Sequence, residues 1–254
     1  MFRFNKNDRL GIITLSKPPA NSYDIHFFKE FEQLLSTIET DSDIAVVLLK
    51  SDIPKFFSAG ADIKVFQSNT VEQNKEMVVM VNKIAAGIST SSKIFVAFLN
   101  GHTLGGGLEL ALACDIRLAS HKKFLLGLPE VKLGLMPGNG GIPRLVNAVG
   151  VSKAFELVVS GNTIDSEEAY RIGLVNQLYE EANAEAQALD YAINLSKGPK
   201  IAMATIKQTF SEGIGKGLED FLELEKKQVG TLYDTYDAKE GFLAFVEKRT
   251  PEFE

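Results

Sequence analysis

The sequence predicts an α/β core of parallel strands covered by helices, followed by a helical C-terminal part. Three observations carry this reading. Short, nearly continuous runs of apolar and β-branched residues recur in the first half of the chain. They alternate with segments of helical spacing, and from Asn183 onward only helical spacing remains. Alternating strands and helices point to an α/β layer arrangement, and near-continuous apolar strands are those covered on both faces.

The predicted strands are Leu10–Ser16, Ile44–Lys50 and Ile94–Leu99. Between the first two, Phe27, Phe28, Phe31, Leu34, Leu35 and Ile38 recur at helical spacing, with Lys29, Glu30 and Gln33 among them, which predicts an amphipathic helix. The third strand leads directly into a glycine-rich segment. After about residue 150 the pattern changes. Asp165-Ser-Glu-Glu168 predicts a capping box that opens a short helix stopping at Gly173. Helices are then predicted over Ala184–Leu195, Ile201–Phe210, Leu218–Leu232 and Ala238–Arg249. No Pro/Gly-rich linker separates the halves, so the chain divides into a core over 1–195 and an appended helical region over 196–254. No internal repeat or low-complexity run is visible.

Composition narrows the function. The 254 residues allow one sizeable domain with an appendage, 45% hydrophobic and 24% charged. A net charge of −6 gives no global footprint for nucleic acid or an anionic membrane. Cys114 is the only cysteine, so no intrachain disulfide forms; it reads as a small packed hydrophobe in a cytoplasmic protein. No stretch approaches the ~20 apolar residues of a membrane span.

Two glutamates embedded among glycines carry the chemistry. Glu109 lies in Gly101-His-Thr-Leu-Gly-Gly-Gly-Leu-Glu109, and Glu130 in Gly127-Leu-Pro-Glu130, ahead of Gly134-Leu-Met-Pro-Gly138. Glycine lets backbone N–H groups approach a ligand without a Cβ in the way. Gly105-Gly106-Gly107 precedes the helix formers Leu108–Cys114, so unpaired N–H groups and a positive dipole end would meet an oxyanion there. Close helix–strand packing accounts for three glycines equally well. Glu109 is flanked by Leu108, Leu110, Ala111 and Leu112, which leaves it no polar face, and a buried carboxylate needs partners or a task. Other chemistries are poorly served. There is no phosphate-binding P-loop around Gly215-Lys216, no dinucleotide fingerprint and no G-x-S-x-G elbow. His26, His102 and His121 lack metal-ligand spacing, so no metal is expected.

Together these segments resemble the crotonase superfamily, the enoyl-CoA hydratase/isomerase family. The resemblance covers essentially the whole chain: Phe57-Ser-Ala-Gly-Ala-Asp-Ile-Lys64, Gly101–Asp115, Gly127–Gly138, Gly161-Asn-Thr-Ile-Asp165 with Gly173-Leu-Val175, and Asp237–Arg249. It implies the crotonase fold of repeated ββα units, with 196–254 as an oligomerisation region of a trimer or a dimer of trimers. It implies an oxyanion hole from the Ala61 and Gly106 N–H groups. Glu109 would take a proton from water and Glu130 would deliver one to C2. Ala59, Asp62, Ile63 and Lys64 would lie along coenzyme A, which enters as the substrate thioester, with no other cofactor. The Gly138 amide would help place the water.

The two retained glutamates favour a hydratase over the family's isomerases or another acyl-CoA reaction. A non-catalytic scaffold touching RNA is the reading from a different class. For Lys64, a surface lysine and a phosphate contact stand level, and Lys248 is a further open contact to coenzyme A. Two departures bear on substrate identity: Gly140-Gly-Ile-Pro-Arg-Leu145 where many hydratases have Gly-Gly-Thr-Gln-Arg-Leu, and Ala20-Asn-Ser-Tyr-Asp24 where Asn-Ala-Leu is more usual.

Overall fold

A computed structural model describes residues 1–254. The predicted strands appear as β2 (Leu10–Leu15), β3 (Val46–Ser51) and β5 (Ile94–Leu99), parallel neighbours in one six-stranded sheet. Its other members are β1 (Phe2–Asn7), β7 (Ile116–His121) and β9 (Gln177–Glu180), giving the order β1-β2-β3-β5-β7-β9 with only β1 antiparallel. A second sheet of three very short parallel strands has the order β4 (Phe56–Ser58), β6 (His102–Leu104), β8 (Leu126–Gly127). Each long strand β3, β5 and β7 is thus followed by a short one in the other sheet and then by helix. These are the ββα units of the crotonase fold.

The pleat sorts alternate residues to the two faces of the large sheet. Val47, Leu49, Phe95, Ala97 and Leu99 join the main core, under α1 (Ile25–Thr40), α3 (Val71–Thr90) and α4 (Gly106–Ala113). Val46, Leu48, Ile94, Val96 and Phe98 face the other way, onto α8 (Ala184–Ser196). That helix presents Ala184, Ala188 and Ala192 at every fourth position, so its backbone lies close to the strands. Burying a side chain the size of Phe98 contributes about 2–3 kcal/mol.

The later helices match the predicted ones within a few residues: α9 (Lys200–Gly213), α10 (Leu218–Gly230) and α11 (Tyr236–Glu247). Lys207 of α9 is buried and donates to Ile88 O (2.7 Å), Lys93 O (2.8 Å) and Asp115 Oδ2 (2.9 Å), fastening this region to the core. One expectation needs correction. In α7 (Ser166–Arg171) Asp165 caps the Glu168 N–H, but the Glu168 carboxylate turns to Arg171 instead of closing a capping box. An opposite charge one turn away outcompetes the N-cap amide for it.

Candidate active site

The three short strands set out the site. Just beyond the ends of β4, β6 and β8 lie Ala61, Gly106 and Glu130, side by side because neighbouring strands stand about 4.8 Å apart. Gly60 has φ +81, and a Cβ there would come within 2.7 Å of Leu104 O and 2.9 Å of the Gly106 nitrogen. Only glycine lets the two segments close up this way. The Ala61 N–H makes no hydrogen bond within the chain: its bridge to Tyr23 uses the flanking Gly60 carbonyl and Asp62 N–H. Gly106 is the first residue of α4, after Gly105 at a positive φ (54) that favours glycine, so its N–H has no intrahelical acceptor.

Glu109 sits one turn into α4 and is 2% exposed. Every residue of that helix is buried, so its carboxylate finds its partners across the site, in the loop that opens α5 (Gly141–Val149). Oε1 accepts the N–H groups of Asn139 (2.8 Å) and Gly141 (3.1 Å), and Oε2 accepts Asn139 Nδ2 (2.6 Å). Arg144 holds the loop by donating to Asn139 O (3.0 Å). Burial raises the Glu109 pKa, while these three donors and the Arg144 charge pull it back down.

Glu130 is held differently. It lies in a 3-10 turn, Pro129–Leu133, with Oε1 beside Gly105, where a Cβ would stand 3.1 Å away. Its Oε2 is buried and has no hydrogen-bond partner. Burial, reinforced by the Glu109 charge, pushes its pKa up to about 7. Both carboxyl groups are thus shifted upward by burial, but Glu109 accepts three N–H donors that favour its ionised form, whereas Glu130 Oε2 accepts none. Two carboxyl groups so differently supported at one site are suited to opposite halves of a proton transfer.

The Enoyl-CoA hydratase/isomerase family model matches residues 5–254. The chain belongs to the enoyl-CoA hydratase/isomerase family. It is 33% identical over 245 residues to the short-chain-enoyl-CoA hydratase of Clostridium acetobutylicum, covering 96% of this chain and 94% of that protein. The crotonyl-CoA hydratase of Syntrophomonas wolfei is 34% identical over 252 residues, covering 98% and 95%. The structure of this chain superposes on the crystal structure of an enoyl-CoA hydratase from Geobacillus kaustophilus with a TM-score of 0.96, at 38% identity, covering 100% of this chain and 96% of that one.

Within this enoyl-CoA hydratase/isomerase fold Ala59, Asp62, Ile63 and Lys64 flank Ala61, whereas Gly138 and Lys248 lie on other segments. The Ala59 N–H donates to Ala20 O (2.9 Å). Asp62 caps α2 (Ile63–Ser68) through the N–H groups of Lys64 and Val65, so its carboxylate serves the loop's own geometry. Ile63 and Lys64 are exposed on that helix. Gly138 is exposed; its carbonyl accepts Asn82 Nδ2 from α3 (2.9 Å), and its N–H has no partner within the chain. Lys248 ends α11 in a left-handed conformation (φ 57), and its side chain bonds to none of these segments.

Three site residues escaped the sequence reading: Tyr23, Asn139 and Arg144. Asn139 stood inside a glycine cluster, which was the available signal, but its use as a double donor to Glu109 depends on how α5 docks. The Tyr23 ring is 3% exposed and its hydroxyl stands where a Cβ on Gly106 would be. The sequence marked that position only as a departure from the common pattern.

Proposed function

We propose that this chain is an enoyl-CoA hydratase: it adds water across the 2,3 double bond of a trans-2-enoyl-CoA to give the 3-hydroxyacyl-CoA. The observation that carries the reading is the pair Glu109 and Glu130 at one site, beside the free Ala61 N–H and the helix-opening Gly106 N–H. In the proposed reaction the thioester oxygen lies on those two N–H groups. Glu109, braced as an anion by Asn139 and Gly141, takes one proton of a water whose oxygen bonds to C3. The π electrons move toward the thioester as an enolate, and Glu130 delivers its proton to C2. The oxygen carries more charge in the enolate than in the substrate, so the donors favour the transition state over the ground state. Coenzyme A enters as part of the substrate, and no further cofactor has a step.

The experiment is a panel of enoyl-CoA thioesters differing in chain length, branching and double-bond position, with products weighed by mass spectrometry. We expect trans-2-enoyl-CoAs to gain the mass of one water. Products of unchanged mass with a shifted double bond would make the chain an isomerase. Inactivity on every thioester would end the catalytic reading.

We also propose a homo-oligomer, a trimer or a pair of trimers, in the cytoplasm. Its support is the apolar stripe that α11 leaves open, where Phe245 is 86% and Val246 78% exposed, with Phe242 one turn away also open. An exposed apolar stripe at i, i+3, i+4 spacing is suited to an interface. Sedimentation should return three or six times 27.8 kDa; any other mass at micromolar concentration would refute the assembly.

A further inference from the structure

Tyr23 brings an unspent hydrogen-bond donor into the site. Its backbone is tied to the Ala61 segment, with Tyr23 N on Gly60 O (2.9 Å) and Asp62 N on Tyr23 O (3.0 Å). Its ring is packed on Phe28 (centroids 4.6 Å apart) and Phe27 (6.1 Å). Fixed at both places, the side chain reaches to Gly106 and leaves its hydroxyl against the first residue of α4. One residue therefore touches both segments that carry the proposed oxyanion donors.

The direction of the hydroxyl proton follows from its neighbours. Asn139 Nδ2 donates to Glu109 Oε2 and, at 3.5 Å, to the Tyr23 oxygen. The oxygen is thus the acceptor in that contact, and no carbonyl or side chain in the molecule accepts the Tyr23 O–H in return. Burial, together with the Glu109 and Glu130 charges, holds the phenol well above its ordinary pKa, so the proton stays. A buried donor without an acceptor is unfavourable unless a ligand supplies one.

We propose that the Tyr23 hydroxyl is a third donor to the substrate's thioester oxygen, adding a side-chain O–H to the Ala61 and Gly106 N–H groups. This rests on the hydratase reading of the same site. The neutral hydroxyl beside Gly106 binds the enolate oxygen more strongly than the carbonyl oxygen and so acts mainly on kcat. Leucine at this position would supply the packing without the donor.

Tyr23→Phe removes the O–H and keeps the ring contacts. We expect kcat on crotonyl-CoA to fall by about 10- to 100-fold, at or below the scale of losing one oxyanion donor, with KM little changed. A second reading needs no turnover: a push–pull aryl-enoyl thioester of coenzyme A absorbs at longer wavelength as its carbonyl is polarised. Its red shift on binding should be smaller in Tyr23→Phe than in the wild type. Wild-type hydration with an equal red shift and equal kcat in the variant would overturn the Tyr23 role alone. An equal red shift with lowered kcat and a displaced acid limb of the pH profile would also overturn it, placing the hydroxyl's effect on Asn139 and Glu109. A wild type that neither hydrates nor polarises any enoyl thioester would remove the hydratase reading, and Tyr23's role with it.

Discussion

Glu109→Gln and Glu130→Gln should each lower kcat for crotonyl-CoA hydration by about 100-fold or more, the scale of a positioned acid or base. Both variants should fold. At position 109 the substituted amide keeps an oxygen for the Asn139 and Gly141 N–H groups. Its NH2 would then face the Asn139 NH2, and Asn139 resolves this by turning over, because its own Oδ1 is buried with no partner. At position 130 the change removes a group that folding disfavours when ionised. The folded pKa is about 7 against an ordinary value of 4.5. Between these values the folded state holds more protons than the unfolded one, so stability falls as pH rises through that window and levels off above 7. Glu130→Gln escapes the fall. Its melting temperature relative to wild type should therefore climb from pH 4.5 to 7 and then stay flat. Near-wild-type turnover in either variant would cancel that residue's role, and a difference in melting temperature independent of pH would show that Glu130 is not held protonated.

Removing the Gly106 N–H should lower kcat/KM by about 100- to 1000-fold, the loss typical of one oxyanion donor. The structure dictates how this must be measured. Both Gly106→Ala and Gly106→Pro introduce a Cβ into the place of the Tyr23 hydroxyl, so on the native background each would displace a buried ring as well. Tyr23→Ala opens that space, at a cost of about 3–5 kcal/mol for emptying an aromatic core position. On that background Gly106→Ala keeps the donor and Gly106→Pro deletes it. Proline is tolerated there, since Gly106 is the first residue of its helix. The ratio of kcat/KM between the two doubles reads the donor. Thermal melts taken alongside identify loss of fold. Two folded double variants of equal activity would show that Gly106 serves packing only.

Much of the molecule is legible in the order of its residues, and the exceptions have physical causes. β5 is recovered end to end because all six of its residues are buried and apolar. β4, β6 and β8, of three, three and two residues, are too short for any period to register. The polar alternation of β1, Phe-Arg-Phe-Asn-Lys-Asn, belongs to an edge strand with one open face. The ββα repetition is invisible as a sequence repeat, because each unit continues into a different helix: α2 and α3 after the first, α4 after the second, a 3-10 turn after the third. Glu109 and Glu130 stood out through their glycine surroundings. Tyr23 and Asn139 did not, because their parts depend on elements distant in the chain meeting at α4.

The staircase of short strands has a kinetic consequence. The site exists only once residues near 58, 104 and 127 have been drawn from three separate ββα units into one small sheet. Contacts between such distant positions require closure of long loops and form slowly. Each unit can bury apolar surface before that sheet is complete, so secondary structure and compactness can precede any ability to grip a thioester. Turnover regained after dilution from denaturant should therefore lag behind the recovery of secondary structure.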